Sequence, residues 1–231
     1  MPSRPAGGPR TSVRVPSVDE AKTEELRAAH DQLAAFYVER LAGLLEAMPI
    51  ERALLGLFCE LTLAVGTEVG DIGSGTGRLA PFLAARGLSP RGVDLSPEMV
   101  RVARRDHPGV QFDVGDLRAL PFADASLAGA VCWYSLIFLA PGDRAAAFGE
   151  LARVVRPGGY LVTAFKDGDG SLRRGGPTLA RLGVDFDRYW LSSAEMVRRL
   201  ADAGFAVVFR GERPPEDDEQ VPQGYLLVRR G

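Results

Sequence analysis

Between Asp19 and Ala47 apolar residues return every turn of a helix. Val18, Leu26, Leu33, Phe36, Tyr37, Leu41, Leu44 and Leu45 form one stripe, which predicts a single long helix. Pro49 interrupts it, and Glu51 to Val65 reads as a second helix. After Thr67 the period changes. TEVGDI, RGVDL, VQFDV, LAGAVCWY, GYLVTAF, FAVVFR and GYLLVRR are short apolar runs with strand character. Helices are expected between them at about Arg78–Arg86, Pro97–Asp106, Asp143–Val155 and Ser193–Ala203. Ser96-Pro97 is a helix start, because serine caps and proline suits the first turn. Alternating strand and helix implies an α/β, doubly wound, mostly parallel sheet with helices on both faces and an N-terminal helical extension. The expected divisions are an arm at 1–18, N-terminal helices forming a cap at 19–66, and a Rossmann-like domain at 67–231.

Composition narrows the setting. The chain has 231 residues, 46% hydrophobic and 25% charged, as expected of a soluble globular protein. Its formal net charge of -2 supplies no global positive field for nucleic acid. Lys22 and Lys166 are the only lysines, which reads as codon bias rather than as a binding surface. Cys59 and Cys132 are far apart in apolar runs, so two buried free thiols in a reducing cytoplasm are expected. No Cys/His cluster suggests a metal. The N-terminal MPSRPAGGPRTSVRVPS has no apolar core of a secretory signal and reads as a disordered arm. The uncharged run from Ala125 to Gly142 contains Gly129, Pro141 and two serines, and is shorter than the roughly 20 apolar residues of a membrane span. A cytoplasmic protein with no membrane partner follows.

The candidate chemistry begins at VGDIGSGTGRL, directly after the first expected strand. In open parallel sheets, ligands bind beyond the carboxyl ends of the strands. The dinucleotide fingerprint needs a third glycine where this chain has Arg78, and the phosphate loop needs a lysine that is missing. What remains is an acid-x-G-x-G-x-G pattern, with Asp71 ahead of Gly73, Gly75 and Gly77. A carboxylate there repels phosphate and suits ammonium or sulfonium charge. Asp94, ending the second strand, can accept both ribose hydroxyls. Asp116, after the third strand, can accept from an adenine amino group, with the Leu117 N–H facing a ring nitrogen. Three acids after three successive strands match a cationic nucleoside with an amino-acid tail, which points to S-adenosylmethionine.

VGDIGSGTGRL, GVDLSPEMV, DVGDLRALPF, DASLAGAVCWYSLIFL and ARVVRPGGYLVTAF resemble, in order, the motifs of class I S-adenosylmethionine-dependent methyltransferases of the bacterial small-molecule type. The resemblance runs from about Asp31 to the end. It implies a seven-stranded sheet whose last strand, GYLLVRR, is antiparallel. It also implies that Asp71, Gly73 and Gly75 hold the methionine end and Asp94 the ribose. Leu95 and Met99 would pack on the adenine, with Asp116 and Leu117 at its edge and Trp133 beside the transferring methyl. Gly77 serves the site or only helix–strand packing, and Met99 serves the adenine or the core.

The implied reaction moves a methyl group from S-adenosylmethionine to an oxygen or nitrogen of a small-molecule acceptor, by in-line displacement. Positioning and exclusion of water supply most of the rate. A general base is needed only for an acceptor that keeps its proton. Candidate catalytic residues are His30, Tyr37 and Tyr134. Tyr37 equally fits the helix core. Where relatives often read Ile-His-Leu after the fourth strand, this chain has Ile137-Phe138-Leu139, so that histidine's role is absent. A substrate loop is expected at about 166–192. There Phe186, Tyr189 and Trp190 would wall a pocket, and Arg173 and Arg174 either attract an acidic acceptor or sit in solvent. His107 is expected at an exposed turn. The alternatives are a methyltransferase acting on RNA or protein, disfavoured by the charge, and a cofactor-binding module without catalysis. A nicotinamide oxidoreductase fails on the fingerprint.

Overall fold

A computed structural model describes residues 18–216 and 219–231. The expected arm falls outside them, apart from Val18, which opens the first helix. Among the described residues three helices precede the sheet, where two are expected: α1 (Val18–Leu41), α2 (Leu44–Ala47) and α3 (Pro49–Leu63). The long apolar stripe breaks at Gly43, whose left-handed φ of 67° stops α1 and turns the chain into α2. Periodicity alone does not register such a break, because the stripe resumes in phase after it.

The elements then follow in the order β1 (Glu68–Ile72), α4 (Ala80–Ala84), β2 (Ser89–Asp94), α5 (Pro97–Asp106), β3 (Gln111–Val114), β4 (Leu127–Trp133), α6 (Arg144–Val154) and β5 (Val155–Lys166). A small hairpin, β6 (Leu172–Arg174) and β7 (Asp187–Tyr189), encloses the short helix α7 (Pro177–Arg181). The chain ends with α8 (Ser193–Asp202), β8 (Phe205–Arg213) and β9 (Gln223–Arg230). Ser96 caps α5 as expected, its Oγ accepting from the Met99 amide at 3.0 Å. α4 is shorter than the expected Arg78–Arg86, because the turn of the glycine loop continues through Leu79. The Pro157-Gly158-Gly159 turn instead lies within β5, beside a register irregularity against β4.

Seven strands form one sheet in the order β3-β2-β1-β4-β5-β9-β8. Pairings from β3 across to β5 are parallel, and the last strand, β9, runs antiparallel to both of its neighbours. All seven residues of β4 are buried, as a strand covered on both faces requires. Its alternate side chains feed two cores. Ala130 and Cys132 face Phe148 and Leu151 of α6 and Met196 and Leu200 of α8. Val131 and Trp133 face Leu55 and Phe58 of α3 and Leu83 of α4. Each large side chain so buried contributes about 1.5–3 kcal/mol. Cys59 and Cys132 are buried free thiols. Among the described residues, no helix is long and apolar enough to cross a membrane. Nor do any three His, Cys, Asp or Glu side chains there gather as a metal site.

α1 lies across the carboxyl ends of the strands rather than against the sheet. Ala34, Tyr37 and Val38 pack on Met99 and Val102 of α5, and Ala29 and Leu33 pack on Phe186 and Val184 of the hairpin loop. Asp31 fixes its position, accepting from Ser96 Oγ at 2.5 Å and from the Glu98 amide at 3.1 Å.

Candidate functional site

A cleft of about 380 Å³ opens between the carboxyl ends of β1, β2 and β4 and the helices α1 to α3. Its floor is the glycine loop. The amides of Gly73 and Ser74 both donate to the Val93 carbonyl, at 2.7 and 3.0 Å, so the loop folds over the end of β2. A Cβ on Gly73 would lie 2.2 Å from the Ser135 Cβ, and its φ is 74°. Only glycine lets the loop and the segment after β4 approach this closely. Ser135 completes the junction, its Oγ donating to the Ile72 carbonyl at 2.7 Å.

Gly73, Gly75, Leu95 and Met99 line the cleft, and so do Asp94, Asp116, Leu117 and Trp133. Two expected residues do not. Gly77 faces away; a Cβ there would meet Phe112 at 2.7 Å and His107 at 2.8 Å, so helix–strand packing accounts for it. His107 is accordingly half-buried against the Phe112 ring rather than exposed. Asp71 is 1% exposed and sits below the cleft surface, with its Oδ2 lacking any hydrogen-bond partner. Burial pushes its pKa up to about 7, against the opposing charge of Arg78 and with the help of Asp94. An acid so placed needs a cationic partner.

Asp94 is also buried, but satisfied. One carboxylate oxygen accepts from the Gly75 amide at 2.8 Å and the other from the Ser96 amide at 2.9 Å. Burial raises its pKa, while these two bonds and the nearby His30 oppose the rise. It lashes the glycine loop to β2 and still faces the cleft. Asp116 differs from expectation. Its carboxylate is engaged by Arg118, which donates from its backbone amide, Nε and Nη2 at 2.8, 2.9 and 2.6 Å. Burial raises the Asp116 pKa, but Arg118 outweighs it and holds the group below the usual carboxylate value. Arg118 also reaches Thr23 of α1 at 2.9 Å and Asp143 at 3.2 Å, tying the helical side to the strand ends. The position two residues from Asp116 is the signal that sequence reading passed over.

The helical side carries His30, Tyr37, Leu26, Leu41, Leu45 and Met48. His30 packs among Tyr37, Phe138 and Phe186, with ring centroids 6.0, 4.9 and 5.1 Å away. Its Nδ1 lies 2.9 Å from the Leu26 carbonyl. A carbonyl only accepts, so Nδ1 carries the proton and Nε2 is the acceptor nitrogen of the neutral ring. Burial raises the Tyr37 pKa, and pushes Tyr134 up to about 12 despite a bond to Tyr225. Tyr134 has a φ of 61°, unusual for an aromatic residue and a mark of local strain at the end of β4.

Of the loop aromatics, Tyr189 lines the cleft, Phe186 is core at 2% exposure, and Trp190 lies under the Arg173 guanidinium at 3.9 Å. Arg174 does not wait for an acceptor; it pairs with Glu25, Asp185 and Asp187. A further buried network escaped the sequence reading. Glu51 of α3 accepts from Tyr225 of β9 and pairs with Arg213 of β8 at 3.2 Å. It links elements far apart in the chain, so no local pattern announces it.

Residues 69–159 match a family described as a methyltransferase domain. An O-methyltransferase of Penicillium expansum is 34% identical over 155 residues, covering 64% of this chain and 55% of that protein. A demethylmenaquinone methyltransferase of Chlorobaculum parvum is 37% identical over 165 residues, covering 70% and 62%. The chain therefore spans less than two thirds of the length of either relative. Among solved structures, the 1,6-didemethyltoxoflavin-N1-methyltransferase of Burkholderia thailandensis superposes with a TM-score of 0.61 at 20% identity. That match covers 94% of this chain and 93% of that one, and at this identity it speaks for the fold.

Proposed function

We propose that the chain is a class I S-adenosylmethionine-dependent methyltransferase, like the relatives it resembles, and that it methylates an oxygen or nitrogen of a small-molecule acceptor held in the cleft. The observation that carries the reading is Asp71. A buried carboxylate with an unpartnered oxygen, beneath a glycine loop at the end of β1, fits a cationic ligand and repels a phosphate. S-adenosylmethionine supplies the electrophilic methyl on its sulfonium.

Asp71, Gly73 and Gly75 hold the methionine end. Asp94 accepts from the ribose, and Leu95, Met99 and Leu117 enclose the adenine. Asp116, engaged by Arg118, keeps less acceptor capacity for the adenine amino group than a free carboxylate. Trp133 shields the methyl from water. The helical cap at 19–66 and the loop at 166–192 close over the acceptor, with apolar contact from Leu26, Leu45, Met48 and Phe138. This alignment and dehydration are the protein's main contribution. Of His30, Tyr37 and Tyr134, His30 is the side chain with an acceptor nitrogen, Nε2, to take a proton from an acceptor group. The two phenols are held neutral by burial and serve as donors or walls.

Calorimetry with S-adenosylmethionine, S-adenosylhomocysteine and NAD tests the cofactor. Binding of the first two and no response to NAD is expected; the reverse removes the reading. Labelled S-adenosylmethionine added with a metabolite extract then identifies the acceptor by transfer of label. His30→Gln is expected to lower kcat on a hydroxyl acceptor with little change in cofactor affinity.

A further inference from the structure

Glu51 lies in the first turn of α3, where an acidic side chain suits the positive end of the helix. It is 1% exposed and lines the cleft, as do Leu45 and Met48 just before it. Its two carboxylate oxygens meet different surroundings. Oε1 accepts from the Tyr225 hydroxyl and from Arg213 Nε at 3.2 Å. Oε2 has no donor among the described residues. It is also not one of the enclosed polar atoms left without a partner, so the small exposure of Glu51 opens on the cleft. Asp94, Glu195 and Glu219 do not share this asymmetry. Asp94 accepts through both oxygens from Gly75 and Ser96, Glu219 through both from Arg213, and Glu195 through both from Arg144. Asp71 keeps an unpartnered oxygen, but that oxygen is enclosed below the cleft surface. Docking of α3 onto β8 and β9 accounts for Oε1 of Glu51 and leaves Oε2 unexplained. A donor in the cleft would offset the cost of burying that charge.

The Tyr225 ring that anchors Glu51 lies 6.1 Å from the ring of Trp133, the residue that shields the transferring methyl in the proposed reaction. We propose that Glu51 holds the O–H or N–H of the acceptor through Oε2 and takes its proton as the methyl arrives. The inference rests on the cleft being that of a methyltransferase. In the balanced step the lone pair of the nucleophile makes the new bond to the methyl carbon. The carbon–sulfur pair returns to sulfur, and the proton passes to Oε2 and later to solvent. Tyr225 and Arg213 fix the carboxylate through Oε1, so Oε2 is oriented before the acceptor binds. The rival base is His30 Nε2, which belongs to a separate cluster with Phe138 and Phe186. An acceptor whose reacting atom bears no hydrogen, such as a tertiary amine, gains nothing from Glu51. The site is thereby assigned to hydroxyl acceptors and to amines that carry a hydrogen.

The full chain, preloaded with labelled S-adenosylmethionine, is mixed with the metabolite fraction that takes up label, and the single-turnover rate is read. Glu51→Gln keeps the shape and the oxygen that accepts from Tyr225, and removes the basic second oxygen. It is expected to lower the rate by about 100–10,000-fold, the range of a positioned proton acceptor. Calorimetry should show unchanged affinity for S-adenosylhomocysteine. Glu51→Asp is expected to recover part of the rate, and His30→Gln to lower it less than Glu51→Gln does. Thermal melting reports the folding of each variant. If Glu51→Gln does not fold, Tyr225→Phe replaces it; that change frees Oε1, and the rate should fall while S-adenosylhomocysteine still binds. A wild-type rate in the variant used, or a larger loss in His30→Gln than in Glu51→Gln, overturns the proposal. Equal loss of rate and of S-adenosylhomocysteine affinity also overturns it, since that marks a displaced α3. Absence of label transfer by the wild-type protein in every fraction defeats the methyltransferase reading itself, a result seen before any variant is made.

Discussion

The two walls of the cleft are held in place by different means. The sheet wall is fixed by bonds that each have main chain on at least one side. Gly73 and Ser74 donate to Val93, Gly75 donates to Asp94, and Ser135 donates to Ile72, all within the ends of β1, β2 and β4. The helical wall is fixed by side chains. Asp31 reaches Ser96 and Glu98, Thr23 meets Arg118, Lys22 pairs with Asp187, and Glu25 pairs with Arg174. Bonds that tie the glycine loop to buried strand ends are shielded from water, whereas exposed ion pairs are weak and screened by salt. The rigid wall suits a ligand that is the same in every turnover. The tethered wall suits one that must enter and leave.

The comparison predicts where substitutions hurt most. Gly73→Ala puts a Cβ 2.2 Å from that of Ser135 at a φ of 74°. Left-handed strain and overpacking together cost about 2–5 kcal/mol, and cofactor binding should vanish with the loop geometry. Gly75→Ala, at a φ of 54° with nothing within 4 Å of its Cβ, should cost only the strain, about 1–2 kcal/mol. Urea denaturation of both variants gives the contrast. A Gly73→Ala protein as stable as Gly75→Ala would show that the sheet wall is not the rigid one.

Asp94→Ala comes next. It removes the acceptor for Gly75 and Ser96 together with the proposed ribose contact. Loss of charge-assisted bonds should weaken S-adenosylhomocysteine by about 1–3 kcal/mol. Unchanged affinity in a folded variant would take Asp94 out of the site.

The same division decides what the sequence makes legible. The continuous apolar run of β4 and the glycine run after β1 are local, so the sheet wall and its order of motifs could be read directly. Asp94 was visible for the same reason, as an acid at a strand end. The helical wall is made by contacts between distant segments: Asp31 with Ser96, Thr23 with Arg118, Glu51 with Tyr225 and Arg213. Nothing local marks such partners. Asp116 fell between the two cases. Its place after β3 was legible, but the engagement of its carboxylate by Arg118 depends on how the turn folds back. Arg174 read as solvated or acceptor-facing for the same reason, since Glu25 lies 149 residues away. The hairpin of β6 and β7 was hidden because its strands are only three residues each.

Asp71 sharpens the comparison through pH. Its pKa is raised from the usual 3.8 to about 7, first by burial and further by Asp94, with Arg78 opposing. Below that pH the free protein holds it protonated, and a neutral carboxyl gives an ammonium little. Affinity for S-adenosylhomocysteine should therefore be about tenfold lower one pH unit below the shifted value and level off above it. Calorimetry in buffers of different ionisation heat should show proton release on binding near neutral pH. Stability should run the other way. The unfolded chain loses this proton near 3.8 and the folded one near 7, so the group's contribution to stability is greatest at low pH and declines as pH rises between those values. Asp71→Asn should flatten both dependences, and an affinity profile that keeps its slope in that variant assigns it to another group.

The smallest effect is expected on the helical wall. Arg174 pairs with Glu25 of α1 and with Asp185 and Asp187 of the hairpin loop, all at exposed or partly exposed positions. Such pairs gain little over their separate hydration and lose much of that gain to salt. Arg174→Ala should therefore leave the melting temperature and S-adenosylhomocysteine affinity at wild-type values at about 0.15 M salt. At about 0.01 M salt, where charges reach further, the variant should melt slightly below wild type, because α1 has lost one anchor. α1 keeps its apolar contacts through Leu33 and Ala34 and its half-buried anchor at Asp31, so it stays docked. If Arg174→Ala instead weakens the cofactor as strongly as Asp94→Ala does, the outer ion pairs carry the cofactor site as the sheet does. The distinction between a fixed wall and a tethered one then fails at its cheapest test.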